Sequence, residues 1–284
     1  MTASITYSTD RGASAVRQRG SWVEPALIGA LLVVTAMAAA GYAVFALHPE
    51  RLAAAPSAAA VYGHALRLFP PGHIIAGVLV LGVVLTRRVG TAWLAAAAAL
   101  YLISLVSELL GTTVGLPFGP YRYGDGLGIK WFDHVPVLVP ASWFMMALPS
   151  FALATRWVTT RRVWRLVAAT GLLVSWDLAL DPAMSRLMPY WVWESDGPYY
   201  GMPLLNLVGW YVTGFALMVA LALLKVDRWL DRVPTPVLFG VYAANLALPV
   251  VMAAAAGLWP AAVLAIVPVA FAATAARARA WSLI

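Results

Sequence analysis

Eight stretches of this chain are apolar for long enough to approach or reach the length of a bilayer-crossing helix, and that limits the fold before anything else does. They run over about residues 25–47, 72–86, 90–110, 135–158, 163–181, 203–224, 236–256 and 258–276. A spanning helix needs about 20 predominantly apolar residues. The second run is short and begins at Pro70-Pro71, and only a Gly-Leu-Trp-Pro turn separates the last two. The count is therefore about eight, with seven or nine compatible. Composition agrees: 62% of the residues are hydrophobic, 11% are charged and the mean hydropathy is +0.82, where a soluble domain carries about 25% charged residues. The expected fold is an all-α, polytopic transmembrane helical bundle. The first run is too long for a signal-peptide core and more spans follow it, so it reads as an uncleaved helix. Residues 1–23 read as a disordered polar tail, and 24–284 as a single transmembrane domain.

The basic residues set the expected orientation. With a cytoplasmic N-terminus, fourteen of the nineteen Lys and Arg residues fall on the cytoplasmic side, and only Arg51, Arg67, Arg122, Lys130 and Arg186 fall opposite. That is the bias of membrane proteins toward positive cytoplasmic loops. The formal charge of +7 is accounted for by this topology, and no basic patch with interleaved aromatics suggests nucleic acid. The acids Glu108, Asp125, Asp133, Asp177, Asp181, Glu194 and Asp196 gather on the other, non-cytoplasmic side, around two loops dense in Gly, Pro, Tyr and Trp. Cysteine is absent, which removes disulfides, thiolate metal sites and Cys nucleophiles.

Two segments carry the chemistry. The first starts at Glu108, near the outer end of the third run, and continues into LPFGPYRYGDGLGIKWFDHVP at 116–136. A carboxyl within an apolar helix costs about 2.5–3.5 kcal/mol on insertion scales, so it should face the bundle interior and find a partner. A purely structural role, with Arg122, Tyr121 or Tyr123 bonded to it, is compatible with a catalytic one. The glycines of this segment lack the Lys-Ser/Thr of a phosphate loop and are expected to serve tight turns and close packing. The second segment is Asp177-Leu-Ala-Leu-Asp181-Pro182, followed by YWVWESDGPYYGMPLLNLVGW at 190–210. Asp177 and Asp181 share a helix face one turn apart, and Pro182 is expected to end the helix. The pair can chelate Mg²⁺ at a diphosphate, keep one proton as a general acid, or cap the helix end. The Mg²⁺ reading, that of a membrane prenyltransferase, needs a second motif facing the same cavity. Its candidate, Asp227-Arg-Trp-Leu-Asp231, falls on the opposite membrane side.

The four histidines, His48, His64, His73 and His134, have no metal-site spacing, and only His134 lies in an informative loop. Many aromatics belong to the interfacial belt. Trp143, Trp210 and Tyr211 are better placed for a cavity wall, while Asn206 and Asn245 are intramembrane amides that need partners.

The run from Glu108 through FGPYRYGD to Val135-Pro136, then Trp143, DLALDP and YWVWESDGPYYGMPLLNLVGWY, resembles the carotenoid hydratase family of bacteria and archaea. Its members are carotenoid 1,2-hydratases acting on lycopene or γ-carotene, and bisanhydrobacterioruberin hydratases. The resemblance covers roughly residues 100–250, with the N-terminal tail outside it. It implies a carotenoid substrate, a prokaryotic cytoplasmic membrane with its lipid, and other carotenoid-pathway enzymes as possible neighbours.

That chemistry protonates an acyclic ψ end group to a tertiary carbocation, which water then captures, with no cofactor and no metal. The expected catalytic residues are Asp177 and Asp181 as an acid/base pair, with Glu108 as a third carboxyl. Tyr121, Tyr123, Trp143, Trp176, Trp191, Trp193, Tyr199, Tyr200, Asn206 and Trp210 are expected to bind the substrate, aromatic faces stabilising the cation. A carotenoid cyclase shares the protonation step and stays open as an alternative. So do the Mg²⁺-dependent prenyltransferase and a non-catalytic transporter or pigment-binding protein.

Overall fold

In a bilayer interior each backbone N–H and C=O must find its partner within the protein, so continuous apolar runs close their hydrogen bonds as helices. The computed structural model describes residues 22–158 and 161–281. The expected tail at 1–23 lies almost wholly outside the described residues.

Helix α1 (Val23–Gly41) passes into a wider turn at Tyr42–Ala46, and α2 (Pro49–Ala53) leads to α3 (Pro56–Val89) and α4 (Leu94–Val114). Three short strands follow, β1 (Tyr121–Tyr123), β2 (Lys130–Trp131) and β3 (Val135–Pro136), and then α5 (Leu138–Trp157) and α6 (Arg162–Asp181). Beyond α6 come a second wide turn, Pro182–Leu187, strand β4 (Trp191–Trp193) and α7 (Leu204–Leu223). Helices α8 (Asp227–Leu230), α9 (Thr235–Ala255) and α10 (Trp259–Trp281) complete the described chain. Seven of these, α1, α3, α4, α5, α6, α7 and α9, are long and apolar enough to cross a membrane. The apolar stretch Trp259–Thr274 of α10 is shorter. The chain is an integral membrane protein built as a helical bundle, within the expected range of spans.

Helix α5 is the axis. Every side chain from Trp143 to Ala154 is buried, the pattern of a helix enclosed on all sides. It packs against α3, α4, α6, α7, α9 and α10. The outer helices instead present Leu, Val and Phe outward, as Leu79, Leu102, Val212 and Phe271 do.

One expectation built on proline needs correction, and another holds in a different form. The second run does not begin at Pro70-Pro71: α3 starts at Pro56 and continues through both prolines for 34 residues, about 51 Å of helix. Prolines are tolerated in membrane helices where neighbouring groups re-satisfy the freed carbonyls. Pro182 does end α6, as expected, but without moving the residue before it out of helical geometry. Asp181 keeps right-handed helical geometry and the chain continues in the wide turn. Pro182 brings no N–H to the Leu178 carbonyl, which accepts the Tyr199 hydroxyl at 2.7 Å instead.

The two long loops are joined. Strand β1 pairs antiparallel with β4, setting Tyr121 opposite Trp193, Arg122 opposite Val192 and Tyr123 opposite Trp191. Alternation along a strand puts Tyr121, Tyr123, Trp191 and Trp193 on one face of this ribbon, and that face covers the bundle. Two glycines seat it. A Cβ on Gly111 of α4 would stand 2.8 Å from Phe118 and 2.9 Å from Tyr121, and one on Gly209 of α7 would stand 2.5 Å from Phe118. Close packing, expected of Gly111, is what both provide.

Gly111→Val should therefore push Phe118 and Tyr121 off α4 and destabilise the protein by about 1–3 kcal/mol, the usual cost of overpacking. Thermal unfolding in detergent, followed by tryptophan fluorescence, checks this; an unchanged midpoint would show that the ribbon is not seated there.

Candidate active site

Three carboxyls are buried at the ribbon end of the bundle: Glu108 is 4% exposed, Asp181 2% and Asp177 0%. Helix α4 supplies Glu108 and α6 supplies both aspartates. Each side chain has a different environment, and the differences follow from which donors the ribbon and neighbouring helices bring.

Glu108 is fully engaged. Its Oε2 accepts the hydroxyls of Tyr121 and of Tyr123, the latter at 2.8 Å, while Oε1 accepts the Trp143 indole N–H at 2.8 Å. Arg122, on the other strand face, makes no such bond. Burial, and then the adjacent Glu108 carboxyl, push the hydroxyls of Tyr121 and Tyr123 well above the usual phenol range, so both stay donors. Asp181 is held from two directions, its Oδ1 by the Trp191 indole N–H at 2.9 Å and its Oδ2 by the Asn206 amide. Asp177 has no N–H donor on either oxygen among the described residues, and its carboxyl neighbour one turn on is Asp181. A helix-capping role for Asp181 is not what the geometry gives, since its partners are side chains.

Glu108 and Asp181 line one cavity of about 90 Å³, whereas Asp177 packs behind its wall. Eight of the ten residues expected to bind substrate line it too: Tyr121, Tyr123, Trp143, Trp176, Trp191, Trp193, Asn206 and Trp210. Trp143 and Trp210 stack with ring centroids 4.0 Å apart, and Trp176 meets Trp210 edge-on at 5.8 Å. Tyr199 and Tyr200 are not on this wall. They pack against each other at 4.9 Å and beside a small alanine cluster of α9 and α10, with the Tyr199 hydroxyl spent on α6. Tyr211 is 41% exposed and faces outward.

Some wall residues carried no signal that singled them out. Phe118, Leu180, Met184 and Tyr190 are ordinary apolar or aromatic residues of loop and helix. His73 and Asn245 also line the cavity; their only mark in the sequence is polarity within an apolar run. His134, the histidine of the first loop, is exposed. Among the described residues no cluster of three or more His, Asp or Glu is arranged to hold a metal ion.

Beside this cavity lies a second, apolar chamber of about 540 Å³ between α1 and the first half of α3, walled by Tyr42, Phe45, Tyr62 and Phe69 among others. Pro70, Met184, Tyr190 and Leu248 line both spaces. A small aromatic cavity bearing carboxyls thus adjoins a larger greasy one.

A family model described as carotenoid biosynthesis protein matches residues 69–272. This chain belongs to that family. The match is wider than the expected 100–250 and takes in the second half of α3, and so His73. Within the carotenoid biosynthesis family, the chain is 30% identical over 162 residues to bisanhydrobacterioruberin hydratase of Haloarcula japonica. That alignment covers 56% of this chain and 50% of the relative, so it spans about half the length of the curated protein. No solved structure matches significantly.

For this family member, the hydrogen bonds at Glu108 make a stability prediction. Glu108→Ala leaves the Tyr121, Tyr123 and Trp143 donors without their acceptor, each at about 1–3 kcal/mol. The detergent unfolding midpoint should fall by several degrees, with Glu108→Gln, which keeps one acceptor oxygen, falling less. Equal midpoints for all three proteins would show that this carboxyl does not hold the ribbon down.

Proposed function

We propose that this protein adds water across the terminal C1–C2 double bond of an acyclic ψ end group of a carotenoid, such as lycopene, γ-carotene or a C50 relative. The supporting observation is the placing of two carboxyls, Glu108 and Asp181, on the wall of an aromatic cavity that adjoins an apolar chamber. The chamber suits a polyene arm and the cavity suits its end group. Family membership supports the carotenoid class, and the Haloarcula relative bears the name of a hydratase, which favours water capture over cyclisation.

In this reading the Asp177–Asp181 pair supplies the proton. Asp177 lacks any N–H donor on its oxygens, so its favourable arrangement is the acid form, donating to Asp181. Asp181, on the cavity wall, passes a proton to C2 and C1 becomes a tertiary cation. Trp143, Trp176 and Trp210 present aromatic rings to that charge, each worth about 0.5–2 kcal/mol, and the Glu108 carboxyl adds an oppositely charged partner. Water then bonds to C1 and loses a proton, which returns to the aspartate pair. The sum is one water added, with no electrons transferred.

The test is expression in a lycopene-accumulating host, grown anaerobically in ¹⁸O-labelled water, with pigment mass spectrometry. A product heavier by one labelled water is expected. Unchanged mass with altered retention would instead assign a cyclase, and unaltered lycopene, γ-carotene and acyclic C50 carotenoid would sink the reading. Asp181→Asn should reduce turnover by at least about 100-fold, the usual weight of a positioned acid. If Asp177→Asn, Asp181→Asn and Glu108→Gln all kept full turnover while folded, the carboxyl mechanism would be dead.

The ribbon end is proposed to face away from the cytoplasm, because the opposite end collects most of the Lys and Arg residues. The chain has no cysteine, so single introduced cysteines report sidedness. Asp125→Cys, exposed beside the ribbon, should react with an impermeant maleimide on intact cells. Asp227→Cys, exposed at the other end, should react only after permeabilisation. The reverse pattern inverts the orientation.

A further inference from the structure

A second set of buried polar groups reaches the same cavity from other helices. Thr35 of α1, His73 of α3 and Asn245 of α9 are 3%, 5% and 2% exposed, and His73 and Asn245 line the cavity. Their hydrogen bonds fix what each has left to offer. The Thr35 hydroxyl donates to the Leu31 carbonyl at 2.8 Å and lies 2.9 Å from His73 Nε2. A hydroxyl has one hydrogen, so Thr35 accepts from His73, and the imidazole carries its proton on Nε2. Nδ1 is left as a lone pair that receives no hydrogen bond among the described residues. Asn245 is fixed in the same way. Its Nδ2 donates to the Val241 carbonyl at 2.8 Å, which sets the amide orientation, and its Oδ1 is buried without a donor. Asn245 meets α3 one turn from His73, where a Cβ on Gly77 would stand 3.5 Å from Nδ2, and both residues line the cavity.

Two acceptors without donors beside a cavity call for a ligand with two hydrogens to give. An alcohol has one and would leave an acceptor bare; water has two. We propose that His73 Nδ1 and Asn245 Oδ1 hold the water that becomes the product hydroxyl, an inference that rests on the hydratase reading. A water donating both hydrogens to these groups turns its lone pairs into the cavity, the orientation needed to attack a cation. As the oxygen bonds to C1, the O–H bond toward His73 breaks and Nδ1 takes the proton. The imidazolium passes it on to the carboxylate left at Asp181, which restores both groups. His73 is then the base of the second half-reaction and Asn245 positions the water. Hydration is thereby separated from the protonation step that a cyclase shares.

The test uses purified full-length protein with lycopene or γ-carotene in detergent micelles, in deuterated ¹⁸O water. Wild type should give labelled hydrate. His73→Leu and Asn245→Leu should still form the cation, which then returns to alkene by losing a proton. The ratio of hydrate to deuterium exchanged into recovered substrate should fall at least about tenfold in each, in line with loss of a positioned base. An unchanged ratio, whether total activity holds or falls, overturns the water site while leaving the hydratase reading intact. Wild type that makes no hydrate from these pigments or from an acyclic C50 carotenoid overturns both. Should the variants fail to fold, a high-resolution structure of the native protein decides: a water within hydrogen-bonding distance of both His73 Nδ1 and Asn245 Oδ1 supports the proposal, and density showing none there refutes it.

Discussion

A carboxyl among apolar helices has no water to turn to, and the architecture at the ribbon end answers that constraint. An acidic side chain within a span costs about 2.5–3.5 kcal/mol on insertion scales, and a hydrogen bond to a charged group returns about 1.5–3 kcal/mol. Glu108 gathers three such donors, two of them from strand β1 and one from the core helix α5. Asp181 gathers one from β4 and one from α7. The β1–β4 ribbon is the device that brings these groups together, because its register puts both tyrosines and both tryptophans on one face. The loops are ordered by the acids beneath them as much as the acids are satisfied by the loops.

Asp177 is the exception. It is wholly buried and no N–H reaches its carboxyl among the described residues. A bundle selected for stability alone would place an apolar residue there, since replacing an unsatisfied buried polar group by one of similar shape is near neutral or better. Retained polar groups of this kind concentrate where a protein's local rules yield to chemistry. The same argument applies to Asn245, whose Oδ1 is also buried and undonated. Asp177 and Asn245, on different helices, belong to the surroundings of one cavity, whereas Ser104, Ser150 and Thr170 are bonded within their own helices.

What was legible in the sequence follows from the range of the interactions involved. The helical bundle was, because apolar runs act locally and in bulk. Glu108, Asp177 and Asp181 stood out because a charge in an apolar run is anomalous wherever it lies. The aromatic loops could be seen to matter, but the pairing of Tyr123 with Trp191 joins residues far apart in the chain and leaves no local trace. Tyr199 and Tyr200 sit in the same loop as Trp191 and Trp193 and share their composition. Only the tertiary fold separates the pair that closes the cavity from the pair that packs against α9 and α10.

The two prolines share one physical setting. In water, a carbonyl that proline leaves without its N–H partner can turn to solvent, so a helix boundary there is cheap. Inside a membrane that alternative is missing, so the helix gains little by stopping, and a neighbouring group takes over the carbonyl instead. At Pro182 the substitute is the Tyr199 hydroxyl, and Asp181 stays in helical geometry, one turn beyond Asp177. At Pro70 the unbroken helix carries its wall across both the chamber and the cavity and places His73 inside. At Pro70 the residue that looked like a beginning lies within a helix, and at Pro182 the α-helix ends while the chain carries its turn on past the site.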